Sequence, residues 1–220
     1  MTKYWGPLGW TTLHTVSALY PDNPTSPEIE LAKNWIQQFA DCITCPNCQG
    51  HFKAMLALYQ SRNPYMFSSR REFSLFVIRA HNTVNRRLGK KIYTYDEVWN
   101  TVAQWDNTHA KTKRYEYLTY LRRDWGSQTT LAGITALGRV RDLFMAEQQY
   151  WSQRVLDWNK VKTVVNSTDD LVTPIVETSK PSTNSQLLQN PMTQFANVSN
   201  NVRSFRFKQV PVGSLSLISR

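Results

Sequence analysis

An all-α fold is predicted by three features of the sequence. Apolar residues recur at helical spacing, as in GWTTLHTVSALY, where Trp10, Leu13, His14 and Ser17 share a face. Helix-start signatures recur along the first hundred residues, and a glycine stops the strongest amphipathic stretch at Gly89. The composition is 41% hydrophobic with 8 Trp, 10 Tyr and 9 Phe, enough apolar material for a packed core.

The elements follow in chain order. The first helix is predicted over residues 9–20. The second opens at Ser26-Pro27-Glu28: Ser26 can cap, Pro27 suits the first helical position, and the acid favours the positive end of the dipole. It runs towards Cys42, and a third can start at Cys45-Pro46 and continue through QGHFKAMLALY. Ser69 to Glu72 has the form of a capping box and opens EFSLFVIRAHNTVNRRLG. Thr94 to Glu97 is a second box, opening a short helix through Trp99 and Val102. Residues 1–105 thus form a small bundle of about five helices.

Residues 106–165 read as a helical extension. A piece ending near Gly126 precedes a long helix from about Thr129 to Val165, in which Leu137, Phe144, Trp151, Trp158 and Val165 recur every seventh residue. Polar Arg141, Gln148 and Lys162 around that seam argue against a coiled coil and for a helical hairpin or docking arm. Residues 166–220, rich in Ser, Thr, Asn and Gln, read as an extended or disordered interaction arm, with a strand-like alternation around Phe205 and Phe207.

The net charge of +10 is spread along the chain, which favours acidic partners of any kind and specifies no dedicated nucleic-acid site. The opening MTKYWGPLGW has no apolar stretch of the secretory type, and no run of about 18 apolar residues exists to span a membrane. An intracellular, soluble protein is therefore expected.

All three cysteines fall in CITCPNC, as Cys42, Cys45 and Cys48. In Cys45-Pro46-Asn47-Cys48 the two thiols can meet if the segment starts a helix, where the dipole and free N–H groups stabilise a thiolate. That is the geometry of a reversible dithiol. With His51 the run also reads C-x₂-C-x₂-C-x₂-H, a possible zinc set. Zinc ligands usually come as pairs from two separated turns, and three-residue steps would fight any helix, so no metal is expected. Inert buried thiols are the third alternative, and Cys42, near Phe39 at the end of its helix, fits it. HNTVNRRLGK then sets His81, Asn85 and Leu88 on one face with Asn82 beside it. Such polar groups are costly to bury without partners, unless the helix end simply turns to water.

WGPLGWTTLHTVSALYPDNPT, CPNC and HNTVNRRLGK together resemble the Erv/ALR family of FAD-linked sulfhydryl oxidases over roughly residues 5–104. The resemblance implies a helical bundle holding FAD, usually as a homodimer. It implies that Cys45 and Cys48 form the redox-active disulfide, with Cys48 against the flavin and Cys45 facing the incoming thiol. It implies flavin contacts from Gly6, Trp10 and His14, with Tyr20 a further candidate. His81, Asn82, Asn85 and Lys90 would hold the adenine and phosphate end, with Lys91 near the diphosphate and Trp99 closing the site. Cellular members commonly carry G-R-x-x-W where this chain has Gly6-Pro7-Leu8-Gly9-Trp10. The W-G-P form and the helical extension are similar to members from large DNA viruses. No second cysteine pair exists to act as a shuttle.

The implied activity is oxidation of dithiols in a thioredoxin-like or other protein partner, with electrons passed to O₂ to give H₂O₂, serving viral disulfide formation. The implied location is the host cytoplasm, at the assembly site, or the virion itself. Virion or capsid proteins would be met through residues 106–220. The alternative is an assembly protein with a vestigial oxidase domain.

Overall fold

The structure, a computed structural model, describes residues 2–157, apart from the side chains of Thr2, Lys3 and Trp99. The expectations for residues 158–220, including Trp158, Lys162, Val165 and the C-terminal arm, lie outside the described residues. Seven α-helices are described: α1 (Thr2–Leu19), α2 (Ser26–Asp41), α3 (Pro46–Arg62), α4 (Arg70–Arg87), α5 (Tyr95–Val102), α6 (Asn107–Gly126) and α7 (Leu131–Gln149). A 3₁₀ turn, Trp151–Gln153, follows. No strand occurs among the described residues, and none of their helices is long and apolar enough to cross a membrane.

Local chemistry sets most helix ends. At α4, the Ser69 hydroxyl accepts the Glu72 N–H at 3.3 Å. At α5, Thr94 and Glu97 exchange both bonds of a capping box, at 3.3 and 2.9 Å. At α2 the cap is Thr25, not Ser26. The Thr25 N–H and hydroxyl donate to the Glu28 carboxylate at 2.8 and 2.9 Å. Counting back three residues from the acid, rather than one from the proline, would have found it. Helix α1 begins at Thr2, well before residue 9, with Pro7 inside it. A proline so near the start forfeits one backbone bond, while Trp5 and Leu8 pack on the core.

Helix α1 lies between α4 and α6; α2 packs on α3 and α7, α3 on α4, and α6 on α7. Helices α6 and α7 thus form a helical hairpin laid against α1 and α2. Gly9 lies at this join, where a Cβ would make ordinary contact with the Tyr117 ring at 3.4 Å. Tyr117, Leu121, Val140, Leu143 and Trp151 join Leu13, Val16, Ile36, Phe39, Phe73 and Phe76 in one buried cluster.

The long helix ends at Gln149 rather than near Val165, and Tyr150 leaves it at φ −129°, ψ −63°. The buried stripe of α7 is Gly133, Ala136, Val140, Leu143 and Glu147. Leu137 and Phe144 flank it, half-buried. Tertiary contacts override the seventh-residue pattern. Trp151 turns into the core against Trp35, ring centroids 6.0 Å apart. The Tyr150 hydroxyl donates to Glu28 at 2.7 Å, and Arg154 Nε donates to the Leu19 carbonyl at 2.9 Å.

Glu147 is the polar member of that stripe. Arg114 of α6 grips it with two bonds of 2.9 Å, both side chains 3% exposed, and Ser152 adds a third at 2.6 Å. Removing one member of a buried pair strands the other charge. Glu147→Leu is expected to cost about 3 kcal/mol in urea unfolding, and Arg114→Met with Glu147→Leu to recover most of that loss.

Candidate functional site

The cysteine loop is held by hydrogen bonds on both sides. The Gln49 amide donates to the carbonyls of Asp41 (2.7 Å) and Ile43 (3.2 Å). From α6, Trp125 Nε1 donates to the Cys42 carbonyl at 2.9 Å, and the Tyr120 and Thr44 hydroxyls meet at 3.1 Å. The chain then enters α3 with Cys45 as N-cap and Pro46 in the first turn. Cys45 Sγ accepts the Cys48 N–H at 3.3 Å, and the two cysteines form a disulfide, Cα atoms 5.2 Å apart.

Cys42 is fully buried, its Sγ 3.8 Å from the Ala136 carbonyl, and burial pushes its thiol up to about 12. It carries no thiolate near neutral pH. The cysteine–histidine run therefore does not converge. Among the described residues no group of three or more His, Cys, Asp or Glu side chains gathers as a metal site.

Of the bonded pair, Cys48 lines a cavity of about 700 Å³ and Cys45 does not. The cavity is walled by α1, α3, α4, the turn after α4, and α5. Gly6, Trp10 and His14 reach it from α1; His81, Asn82 and Asn85 from α4; Lys90 from the turn. The structure thus brings seven of the sequence candidates to one space with Cys48. At Gly6 a Cβ would meet nothing within 4 Å. Tyr20 is placed elsewhere: it is fully buried in the core, its hydroxyl donating to the Phe67 carbonyl at 2.9 Å and its ring edge-on to Phe73. Trp99 sits on α5, next to cavity-lining Val98, but its side chain lies outside the described residues.

Three rings set the join between α1 and α4. Trp10 stacks on His81, centroids 4.1 Å apart and planes 6° from parallel. His14 Nε2 and His81 Nδ1 lie 3.1 Å apart. That contact needs one proton between the two nitrogens; a second would set donor against donor. Burial, then the neighbouring His81, holds His14 well below the usual imidazole range. Burial, then Lys90, lowers His81 to about 4. Both rings are neutral near pH 7.

Asn82 builds the wall. It is buried, its amide donating to the Tyr93 carbonyl at 2.7 Å and its oxygen accepting the Tyr93 N–H at 3.0 Å. Both ends of the side chain thus pin the connection between α4 and α5. Asn85 is also buried and lines the cavity. Gly89, at φ +64°, lets the chain fold back so that the Lys90 N–H reaches the Asn85 carbonyl at 2.8 Å. Lys90 thereby lines the cavity beside Arg87. Lys91 instead pairs with Glu97 at 2.6 Å.

Sequence reading missed Arg87, His51 and Phe52 as lining residues. Arg87 was legible only as a cation suiting the helix end. The signal for His51 and Phe52 was their place one turn beyond Cys48.

The depressed imidazoles have a consequence for stability. An unfolded histidine titrates near 6.5. Between about 6.5 and 4 the unfolded chain binds a proton that folded His81 refuses, so stability falls as pH falls through that window. Urea unfolding at pH 7.5 and pH 5.0 should show wild type losing about 2 kcal/mol more than His81→Asn on acidification. Equal losses would mean His81 is not held neutral.

Comparison with known proteins identifies the arrangement. Residues 8–116 match the Erv1 / Alr family. The FAD-linked sulfhydryl oxidase of African swine fever virus (isolate Tick/Malawi/Lil 20-1/1983) is 33% identical over 101 residues, 46% of this chain and 82% of that protein. FAD-linked sulfhydryl oxidase ERV1 of Arabidopsis thaliana is 34% identical over 108 residues, 49% of this chain and 53% of the plant protein. FAD-linked sulfhydryl oxidase ERV2 of Saccharomyces cerevisiae is 34% identical over 88 residues, 40% of this chain and 43% of the yeast protein. The match begins in α1, spans the disulfide and the cavity lining other than Trp5, Gly6 and Pro7, and ends within α6. The chain belongs to the Erv1/Alr family.

Proposed function

We propose that this protein is an FAD-dependent thiol oxidase that makes disulfides in a dithiol-bearing protein partner. One observation carries the reading: the Cys45–Cys48 disulfide joins a cysteine that lines a large cavity to one that does not. Electrons can therefore enter at Cys45 and leave at Cys48.

The residues present fit FAD. A cavity of about 700 Å³ falls in the range of cofactor sites. Trp10, Phe52 and Val98 offer flat and apolar wall for a ring system, and Arg87 and Lys90 offer cations for a diphosphate. Neutral His14 and His81 add ring surface without placing further positive charge there. The chemistry FAD supplies when bound is acceptance of an electron pair and its delivery to O₂ as H₂O₂.

The protein's own steps follow from the thiol geometry. A partner thiolate attacks Cys45 Sγ, forming a mixed disulfide and breaking the Cys45–Cys48 bond, so that the electron pair leaves on Cys48 Sγ in the cavity. The partner's second thiolate attacks its own sulfur in the mixed disulfide and releases Cys45. The leaving Cys45 thiolate is stabilised by the Cys48 N–H and by the positive end of α3. The partner departs oxidised, having lost two electrons and two protons. Cys42 takes no part, since its thiol is buried and protonated.

The visible spectrum of the purified protein tests this. A flavin spectrum is expected that bleaches under anaerobic dithiothreitol and returns in air, with one peroxide formed per dithiol consumed. Cys48→Ser should keep the flavin colour but lose bleaching by dithiols. Cys42→Ser should keep turnover within about twofold, because it touches no reacting atom. A colourless protein after expression with added FAD, or normal turnover in Cys48→Ser, would refute the proposal.

A further inference from the structure

A second concavity, of about 520 Å³, runs between the start of α1 and the outer face of α6. It is lined among others by Tyr4, Lys111, Tyr115, Glu116, Tyr120 and Arg123. The flavin-site cavity shares none of these residues. Its position relates it to the disulfide. Tyr120, in its wall, meets the hydroxyl of Thr44 at 3.1 Å, and Thr44 is the residue before Cys45. Tyr4 sits against Tyr120, ring centroids 5.9 Å apart, and is 61% exposed. One wall of the groove is therefore hydrogen-bonded to the loop that presents Cys45, the member of the disulfide that does not line the flavin-site cavity.

The charge of the groove is lopsided. Lys111 and Arg123 are exposed, and neither has an ion pair among the described residues. The acid in the lining, Glu116, is already paired with Lys113 at 2.9 Å. The groove thus offers uncompensated positive charge and exposed aromatic surface. That suits an acidic segment, with tyrosines for its apolar or aromatic side chains. Tyr120 and Arg123 lie beyond residue 116, where the family match ends.

We propose that this groove is the docking site for the dithiol partner, and that its occupant is an extended acidic segment flanking the partner's cysteine pair. Docking there places the partner's thiols beside Thr44 and Cys45. The lining supplied beyond residue 116 then sets which partners this chain oxidises. The proposal rests on the thiol-oxidase reading, because it requires Cys45 to be the sulfur that is attacked.

Two synthetic peptides test it, each with the same Cys-x-x-Cys pair, one flanked by aspartates and one by lysines. The quantity read is kcat/KM for each peptide divided by that for dithiothreitol, on the flavin-loaded full-length protein. Wild type should favour the acidic peptide about tenfold at low salt, and the preference should shrink as salt screens it. Lys111→Glu with Arg123→Glu should abolish or reverse that preference. Both positions are exposed, and circular dichroism would confirm the fold. Flanking charge also shifts the peptides' own thiol pKa values, so the comparison between wild type and variant decides. If the peptide ratio is the same in both proteins while dithiothreitol is oxidised normally, the docking proposal is wrong and the oxidase reading stands. If wild type does not oxidise dithiothreitol, the oxidase reading fails and takes this proposal with it.

Discussion

The stack of Trp10 on His81, closed by the His14–His81 contact, is the constraint on which the cavity depends. It fixes α1 to α4 at the level of the disulfide, with planes 6° apart and a 3.1 Å nitrogen pair. Two histidines in an apolar interior would be expensive if charged. Sharing one proton between two neutral rings avoids that cost and fixes the orientation of both. The remaining walls follow from short-range devices. Asn82 pins Tyr93, Gly89 reverses the chain, and the Thr94–Glu97 box starts α5 where Val98 and Val102 can close over the space.

Much of this was legible in the sequence, and the reason is locality. Capping boxes, a left-handed glycine and a Cys-Pro-x-Cys helix start are chemistry within a few residues, so Ser69, Thr94, Gly89 and Cys45 could be placed without knowing the fold. What was not legible depended on contacts across the chain. The end of α7 is set by Trp35, Glu28 and Leu19, more than a hundred residues away, and the seventh-residue pattern could not register them. Tyr20 sits at the end of a helix whose earlier turns reach the cavity, yet Phe67 takes its hydroxyl. Asn82 was chosen as a polar residue needing a partner. The partner proved to be the backbone of Tyr93, found only once the turn after α4 was in place.

The three cysteines now separate by environment rather than by spacing. All lie three residues apart, but Cys42 ends a helix beneath α7 while Cys45 and Cys48 straddle the start of the next. Burial pushes the thiol of Cys42 up to about 12, whereas Cys45 caps the start of α3 and is bonded to Cys48. Burial beneath α7 for one and the start of α3 for the others separate a cluster that could be read as a metal set or a redox pair into one bonded pair and one free thiol.

The α6–α7 hairpin has a part in that separation. Trp125 holds the Cys42 carbonyl, Tyr120 holds the Thr44 hydroxyl, and the Ala136 carbonyl faces the Cys42 thiol. The loop that delivers the disulfide is therefore clamped from one side by Gln49 of its own helix and from the other by the hairpin. The buried Arg114–Glu147 pair joins the two hairpin helices behind those contacts. Such a pair adds little net stability over apolar packing but is intolerant of misregister, since any slip strands a charge. It thus favours one register of α6 against α7, the two helices that carry Tyr120, Trp125 and the Ala136 carbonyl to the disulfide loop.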